Sequence, residues 1–518
     1  MMKLSDKDLD LLEKKGISKQ TIDQQMQLFK NGLPFINLKR AATVDDGIIK
    51  LTAKEENEYI KLYDNEKENI DIVKFVPASG AATRMFKFLF QFLDSFRSKE
   101  ESINAYINRK KALDLSIFFI GLEKLPFFTK VISYLKEKHS NYSELSLEEK
   151  RILFITALLE EDQLNYSFYP KGILPFHNYK THTASAFEEH LYEAAMYSAS
   201  KDNAKIHFTI SDQHKTLFEE EFNKIKSAVE EKTQTSFDIS FSFQKQSTDT
   251  IAVTNKDEIV RTNTGDIYFR PSGHGALLSN LNDLNADLIF IKNIDNVVVS
   301  KYKKTVGKHK KILAGLLIDI KNTAFKHAKD LDEKDLNEAQ LIQIATFLQN
   351  KLNVVISAEF EKYAKKYQIE YLKKKLNRPI RVCGMVKNEG EPGGGPFWVK
   401  DEAANISLQI VESAQIDTKA KSQKKILKKA THFNPVDIVC SIKNHRGEVY
   451  DLQQFLDPKA AFITQKTIDG KSIKALELPG LWNGSMSNWN TVFVEVPLAT
   501  FNPVKNVNDL LKPSHQTN

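Results

Sequence analysis

The spacing of apolar positions changes period along the chain, and the change divides it. Residues 5–70 place apolar side chains at helical spacing in a strongly polar background ("DLDLLEKKGISKQTIDQQMQLFKNG"), punctuated by Gly16 and Gly32. That pattern predicts a helical N-terminal extension over residues 1–70. Short apolar runs then predict strands at 72–77, 205–210, 237–243, 287–292, 380–386, 407–412 and 491–496. Helical periods at 185–199 and 214–231 fall between them, and such alternation predicts an α/β protein whose mostly parallel sheet carries helices on both faces. Two long helical segments, 86–165 and 301–378, interrupt the alternation and read as insertions beside the sheet. No internal repeat or low-complexity tract is evident, and the closing "PSHQTN" reads as a frayed tail.

Composition narrows the class. With 518 residues, 41% apolar and 27% charged, the chain is an ordinary globular protein with room for more than one core. A net charge of +7 is small for this length, which argues against a nucleic-acid-holding protein and leaves room for an anionic small substrate. Basic runs at 109–111, 303–304 and 373–375 read as solvated helix faces. Cys383 and Cys440 lie far apart, so neither a disulfide framework nor a cysteine zinc site is expected. The N-terminus lacks a signal-peptide core, and no stretch approaches the roughly 20 apolar residues of a membrane span. The expected setting is cytoplasmic, with no membrane contact.

Two stretches carry candidate chemistry. In "FVPASGAATRMFKF" (75–88) an apolar strand breaks into Ser79, Gly80 and Ala81, is followed by Arg84 and then turns helical. Small residues before a helix suit an anion, because helix N-termini offer unpaired N–H groups and the positive end of the dipole. A tight turn without a ligand is the plain alternative. In "YPKGILPFHNYKTHTASAFEEHLYEAA" (169–195), Lys171 follows Pro170 ahead of an apolar strand and a long amphipathic helix. Its plain alternative is a surface lysine.

Together these stretches resemble sugar nucleotidyltransferases, which carry G-x-G-T-R-M and then P-K before a strand and a helix. Five more point to the UDP-sugar pyrophosphorylase branch. "RPSGHGALLSNL" (270–281) is similar to that branch's P-P-G-H-G loop, and "DLIFIKNIDNV" (287–297) to its N-x-D-N strand end. "EPGGGPFWV" (391–399) resembles a Gly-Gly-Thr loop, "LQIVESAQI" (408–416) resembles L-L-E-I-A-Q, and "FNPVKNVNDLL" (501–511) resembles F-L-P-V-K-x-x-x-D-L-L. The matches keep their order over residues 71–511. The whole chain also resembles a bacterial family of unassigned function.

The resemblance implies a GT-A-like nucleotide-diphospho-sugar transferase fold: a nucleotide-binding half over 71–300, the helical insertion 301–378, and a sugar-phosphate-binding half over 379–518. It implies transfer of a nucleotidyl group from UTP to a sugar 1-phosphate with release of pyrophosphate, assisted by Mg²⁺ on Asp295. Arg84, Lys171 and Lys505 become the catalytic cations, and Ser79, Gly80 and Ala81 the phosphate-binding turn. Gln244, Gly273, His274 and Gly275 become the uracil readers. Glu391, Gly393, Gly394 and Glu412 fall on the sugar side; Asp437 stands where the family has an asparagine, and metal, sugar or no ligand at all stay open for it. Two departures stand out: Ala82 replaces the second glycine of G-x-G-T-R-M, and the 86–165 insertion separates Arg84 from Lys171. Two other readings stay open. One is a same-fold glycosyltransferase that consumes a nucleotide sugar; the other is a non-catalytic nucleotide-sugar-binding protein whose insertions hold a protein partner.

Overall fold

The computed structural model describes residues 4–80, 82–390, 393–433, 437–468 and 470–517. The chain divides into two compact units. Unit one is Met1–Phe75, Ser242–Ile291 and His309–Leu498; unit two is Val76–Phe241, Lys292–Lys308 and Ala499–Asn518.

In unit one, strands follow the order Thr43–Val44, Gly47–Ile49, Asn490–Glu495, Ile380–Lys387, Asp437–Ser441, Leu288–Lys292 and Ile72–Pro77. The last two run parallel in the register Leu288↔Ile72 to Ile291↔Phe75, and both cross into unit two at their final residues. Ile380–Lys387 is parallel to Asn490–Glu495 and antiparallel to Asp437–Ser441, so the sheet is mixed and mostly parallel. Every residue of Leu288–Lys292 is buried, which explains why an unbroken apolar run rather than an alternating one marks it. The α/β class expected from the pattern is the class found.

Two antiparallel sheets complete unit one. Leu38–Ala41, Gly395–Lys400 and Ile406–Val411 form one; Phe269–Arg270, Thr250–Thr254, Lys471–Glu477 and Phe462–Ile468 form the other. The N-terminal extension is not purely helical. After helices Asp6–Lys15 and Lys19–Asn31 the chain enters three short strands between Leu38 and Ile49, then helix Ala53–Glu66. Leu12, Ile22 and Phe29 on the first two helices bury against Ile251, Val253 and Leu476 of the second antiparallel sheet. That contact gives an otherwise polar segment its apolar anchor.

In unit two, strand Asn203–Ile210 pairs with Ala199–Ser200 and Ser236–Phe243. Beside it run helix Ala186–Tyr197, capped by Ser185 accepting from Glu188 N–H at 3.2 Å, and helix Lys215–Thr233, which buries Phe218, Ile225 and Val229. The 86–165 segment is five helices, from Lys87–Ser95 to Leu147–Leu159. The 301–378 segment is the helix Ser300–Glu333 followed by Glu338–Leu352 and Lys365–Leu376. Among the described residues no helix is long and apolar enough to cross a membrane.

Candidate functional site

Unit two gathers residues from four remote parts of the chain. Strand Ile72–Pro77 ends in the turn Ala78–Gly80, where Ala78 N–H donates to Thr209 O at 2.8 Å and Ser211 Oγ donates to Ser79 O at 3.1 Å. The α-helix expected directly after Arg84 starts only at Lys87. Residues Ala82–Phe86 form a 3₁₀ turn, and Ala82 N–H is taken by Tyr169 O at 3.0 Å. The helix N-terminus is therefore displaced from the small-residue turn, and Arg84 lies exposed on the 3₁₀ segment. Ala81 lies outside the described residues.

The Pro170-Lys171 stretch lies directly against this turn. Lys171 N–H donates to Gly80 O at 3.2 Å, so the helices of the 86–165 insertion are looped out between two segments that meet. The Lys171 ammonium donates to Asp295 Oδ2 at 2.9 Å and to Val504 O at 2.8 Å. Its side chain is 16% exposed and that of Asp295 17%. Asp295 is placed by its neighbours: Ile294 N–H donates to Pro77 O at 3.2 Å, His190 Nε2 meets Ile294 O at 3.2 Å, and Val504 N–H donates to Asp295 O at 3.2 Å. Lys292, buried in the strand before it, is held by both carboxylate oxygens of Glu193 at 2.8 and 3.0 Å. The next residue after Val504 is Lys505, exposed, its own N–H held by Asp509 Oδ2 at 2.7 Å.

Behind this cluster lies a buried proton network that the sequence did not announce. Glu189 accepts from His177 Nδ1 at 2.5 Å and Tyr179 Oη at 2.7 Å, and pairs with Lys303. Burial pushes the Glu189 carboxyl up, but Lys303 and His177 outweigh it and hold it down at about 2. His177 Nε2 meets His515 Nδ1 at 2.9 Å, and His515 Nε2 meets Asn502 O at 3.1 Å. The Asn502 carbonyl can only accept, so His515 carries its proton on Nε2 and leaves Nδ1 to accept from His177 Nε2. Burial, then the neighbouring His177, lowers His515 to about 3. Through Asn502 the network anchors the segment that supplies Val504 and Lys505.

Unit one holds the residues expected to read the base. Gly273 has φ +80°, and a Cβ there would lie 2.3 Å from Glu477 Oε2, the movable end of a side chain. At Gly275 a Cβ would lie 2.2 Å from the backbone carbonyl of Pro479, which cannot give way. The close approach that these two glycines permit is thus made to the chain's own 477–479 segment. His274 stacks on Trp482 with centroids 4.1 Å apart and planes at 12°, and its Nδ1 accepts from Leu481 N–H at 2.9 Å. Burial lowers the imidazole to about 4, so it is neutral near pH 7. Gln244 Nε2 is buried with no hydrogen-bond partner among the described residues.

The expected sugar-side residues of unit one also converge. Gly393 O accepts from the Ser413 hydroxyl, Glu412 N–H is capped by Gln415 Oε1 at 3.0 Å, and Gly395 and Glu412 flank the paired strands Gly395–Lys400 and Ile406–Val411. Gly394 packs against the Val411 and Glu412 backbone. Glu391 lies outside the described residues. Asp437, whose role the motifs leave open, is 1% exposed, and its carboxylate pairs with the fully buried Lys310 of helix Ser300–Glu333.

Two residues here escaped sequence reading. Trp482 sits in "LPGLWNGS" (478–485), whose glycines and lone tryptophan were the available signal. Arg381, wholly buried, donates to Trp482 O at 2.6 Å and to Thr491 Oγ1 at 2.8 Å, and so fixes the indole that covers His274. Nothing in an apolar strand sequence marks such an arginine as a loop anchor.

The family model described as "Domain of unknown function (DUF4301)" matches residues 5–516. No curated protein matches the chain. Among solved structures it is similar to the uridine diphosphate N-acetylglucosamine pyrophosphorylase from Trypanosoma brucei, at 12% identity and a TM-score of 0.49, covering 99% of this chain and 84% of that one. It is also similar to the UDP-glucose pyrophosphorylase from Leishmania major, at 12% identity and a TM-score of 0.45, covering 98% of this chain and 79% of that one.

Proposed function

We propose that this chain, which belongs to the DUF4301 family, a domain of unknown function, joins a sugar 1-phosphate to UTP and releases pyrophosphate. The observation that carries the reading is the unit-two cluster, in which the Ser79-Gly80 turn, Lys171, Asp295 and the Val504-Lys505 segment are bound to one another by hydrogen bonds. These are the stretches that the motif resemblance assigns to phosphate handling, and each reaches the others from a different part of the chain.

A phosphate oxygen of the sugar 1-phosphate forms a bond to the α-phosphorus of the nucleotide. The bond to pyrophosphate breaks in line with it, and the electron pair leaves with the pyrophosphate. No covalent enzyme intermediate and no proton transfer is required, so the chain's task is positioning and charge neutralisation. Lys171, Arg84 and Lys505 supply positive charge to the reacting and departing oxygens. Gln244 and the Gly273–Gly275 turn are assigned to the base, and Glu412 with Gly393 and Gly394 to the sugar.

Among the described residues no group of three or more His, Cys, Asp and Glu side chains could hold a metal ion. A lone carboxylate such as Asp295 therefore fits a Mg²⁺ that keeps its waters and arrives on nucleotide phosphates, not one caged by protein. Bound there, the ion would supply charge neutralisation to those phosphates.

Mixing the protein with UTP, Mg²⁺ and a panel of sugar 1-phosphates, and measuring pyrophosphate, tests the reading. Release with at least one sugar 1-phosphate is expected. Its absence across the panel, together with sugar transfer from a UDP-sugar to an acceptor, would replace the reading with glycosyl transfer.

A further inference from the structure

The sequence pattern reads residues 86–165 as an insertion beside the sheet and the closing "PSHQTN" as a frayed tail, and unit two brings the two together. The tail is not frayed. Val299 N–H donates to Ser514 O at 3.0 Å, His515 is 1% exposed, and Thr517 Oγ1 donates to Asn178 O at 2.7 Å. Just ahead of it, the 3₁₀ turn Val507–Leu511 packs on the insertion helix Leu113–Gly121. Asn508 Nδ2 donates to Asp114 O at 2.8 Å, and Gln516 Nε2 donates to Leu510 O at 2.6 Å and to Lys124 O at 3.4 Å. Gly121 is buried, and a Cβ there would overlap the Leu511 side chain, so the missing side chain at 121 sets how closely the turn sits.

The insertion is also rooted in the site at both feet. It leaves the chain after Arg84 and returns before Lys171, and near these feet Thr83 Oγ1 donates to Ser167 O at 3.0 Å. Between the feet it has an aromatic core of its own. Phe88 and Phe92, on the helix that follows Arg84, meet Phe118 and Phe119 with ring centroids 6.0 and 6.2 Å apart, and Phe118 meets Phe154 at 6.3 Å. Interlocked rings fix one helix against the next. From that core to the site the path is short: Asn508 lies three residues after Lys505, and Val504 N–H and C=O are bonded to Asp295 and Lys171.

We propose that the 86–165 insertion is a positioning platform for the C-terminal segment, holding Asn508 and Leu511 so that Val504 and Lys505 keep their place beside Lys171 and Asp295. The task of Val504 and Lys505 in turnover rests on the nucleotidyl-transfer reading above, whereas the platform's hold on them does not.

The test has two arms, both on the full chain. The first is backbone hydrogen exchange over residues 499–506, which needs no reaction. Gly121→Leu drives a side chain into Leu511 at a φ of −90° that leucine accepts, and should speed exchange there by about ten-fold or more. Leu511→Ala in the same chain makes room and should return most of the protection. Asn508→Ala removes one hydrogen bond and no core packing, and should speed exchange several-fold. Ile120→Ala, at an 84% exposed position of the same helix, should leave it unchanged. The second arm is pyrophosphate release: Gly121→Leu should lower kcat by about ten-fold or more with KM unchanged, since misplaced charge is felt in the transition state, and Leu511→Ala should restore it. The proposal is overturned if Asn508→Ala or folded Gly121→Leu exchanges over 499–506 like the wild type, if Leu511→Ala does not rescue Gly121→Leu, or if kcat holds in a variant whose 499–506 segment has opened. A wild type that releases no pyrophosphate counts against the reaction, and the exchange arm then decides the platform by itself.

Discussion

Replacing Lys171 with methionine keeps the apolar stem and removes one ammonium from a place where the structure gives it two acceptors, Asp295 Oδ2 at 2.9 Å and Val504 O at 2.8 Å. At 2.9 Å the bare Coulomb attraction is about 1.4 kcal/mol in bulk water and about 6 kcal/mol at an effective dielectric of about 20. Both side chains retain some exposure, and desolvation offsets most of the larger figure, so the net value falls in the range of hydrogen bonds to charged groups, about 1.5–3 kcal/mol. The same lysine occupies the carboxylate that the proposed reaction needs for Mg²⁺. Losing it should therefore have two effects of opposite sign. Binding of the divalent cation carried on UTP should tighten by about ten-fold or more, the equivalent of the energy released from the pair. Turnover should fall by about 10²–10³, the usual loss of one preorganised charge facing a transition state. Mn²⁺ binding with UTP present, followed by electron paramagnetic resonance, reads the first effect, and pyrophosphate release reads the second. Asp295→Asn should lose both cation binding and turnover. Turnover of Lys171→Met within a few-fold of wild type would refute the catalytic assignment, and weaker Mn²⁺ binding would refute the competition between lysine and cation.

His515 is buried and His274 half-buried, and the loss of hydration lowers their pKa values to about 3 and about 4. Unfolded histidine titrates near about 6.5, so the unfolded state takes up protons first and stability falls as pH drops from about 6.5 towards 4, by about 2 kcal/mol per histidine at pH 5. Melting temperatures measured from pH 7 to pH 5 should drop, and His274→Phe, which keeps the stack on Trp482, should flatten the slope; a flat wild-type profile would contradict the burial argument. Lys310→Met leaves the buried Asp437 carboxylate uncompensated and should destabilise by about 3–5 kcal/mol, with Lys310→Met/Asp437→Leu recovering part of it in urea unfolding. UTP should bind more tightly than ATP or GTP by roughly ten-fold, since each unpaired polar group costs about 1–3 kcal/mol; Gln244→Ala should narrow that gap in calorimetric titration, and preference for a purine nucleotide would remove the base assignment.

Local sequence determined the elements whose stability is local or whose burial is complete. The strands Ile72–Pro77, Leu288–Lys292, Ile380–Lys387 and Asn490–Glu495 are legible because both faces are covered, so their residues read as continuous apolar runs. Helices such as Ala186–Tyr197 and Lys215–Thr233 are legible because one turn repeats the period of the next. Strands such as Phe462–Ile468 ("FITQKTI") and Lys471–Glu477 escaped, since half-exposed polar strands are stabilised by cross-strand partners that a linear pattern does not contain. For the same reason the linear pattern does not separate the extension's short strands between Leu38 and Ile49 from the helices around them.

The candidate site divides along the same line. Arg84, Lys171, Asp295 and Lys505 could be named because the short motifs around them resemble those of sugar nucleotidyltransferases; taken alone, each reads equally as an ordinary turn or surface residue. That Lys171 meets Asp295 across 124 residues, and Val504 across 333, was decided by tertiary structure alone. So were the anchoring of Trp482 by Arg381, the pairing of Asp437 with Lys310, and the chain from Glu189 through His177 to His515. A buried charge tells its own sequence neighbourhood nothing about its partner. It must be answered by some opposite charge or dipole, and which one does so depends on where the folded backbone brings two distant segments within hydrogen-bonding reach.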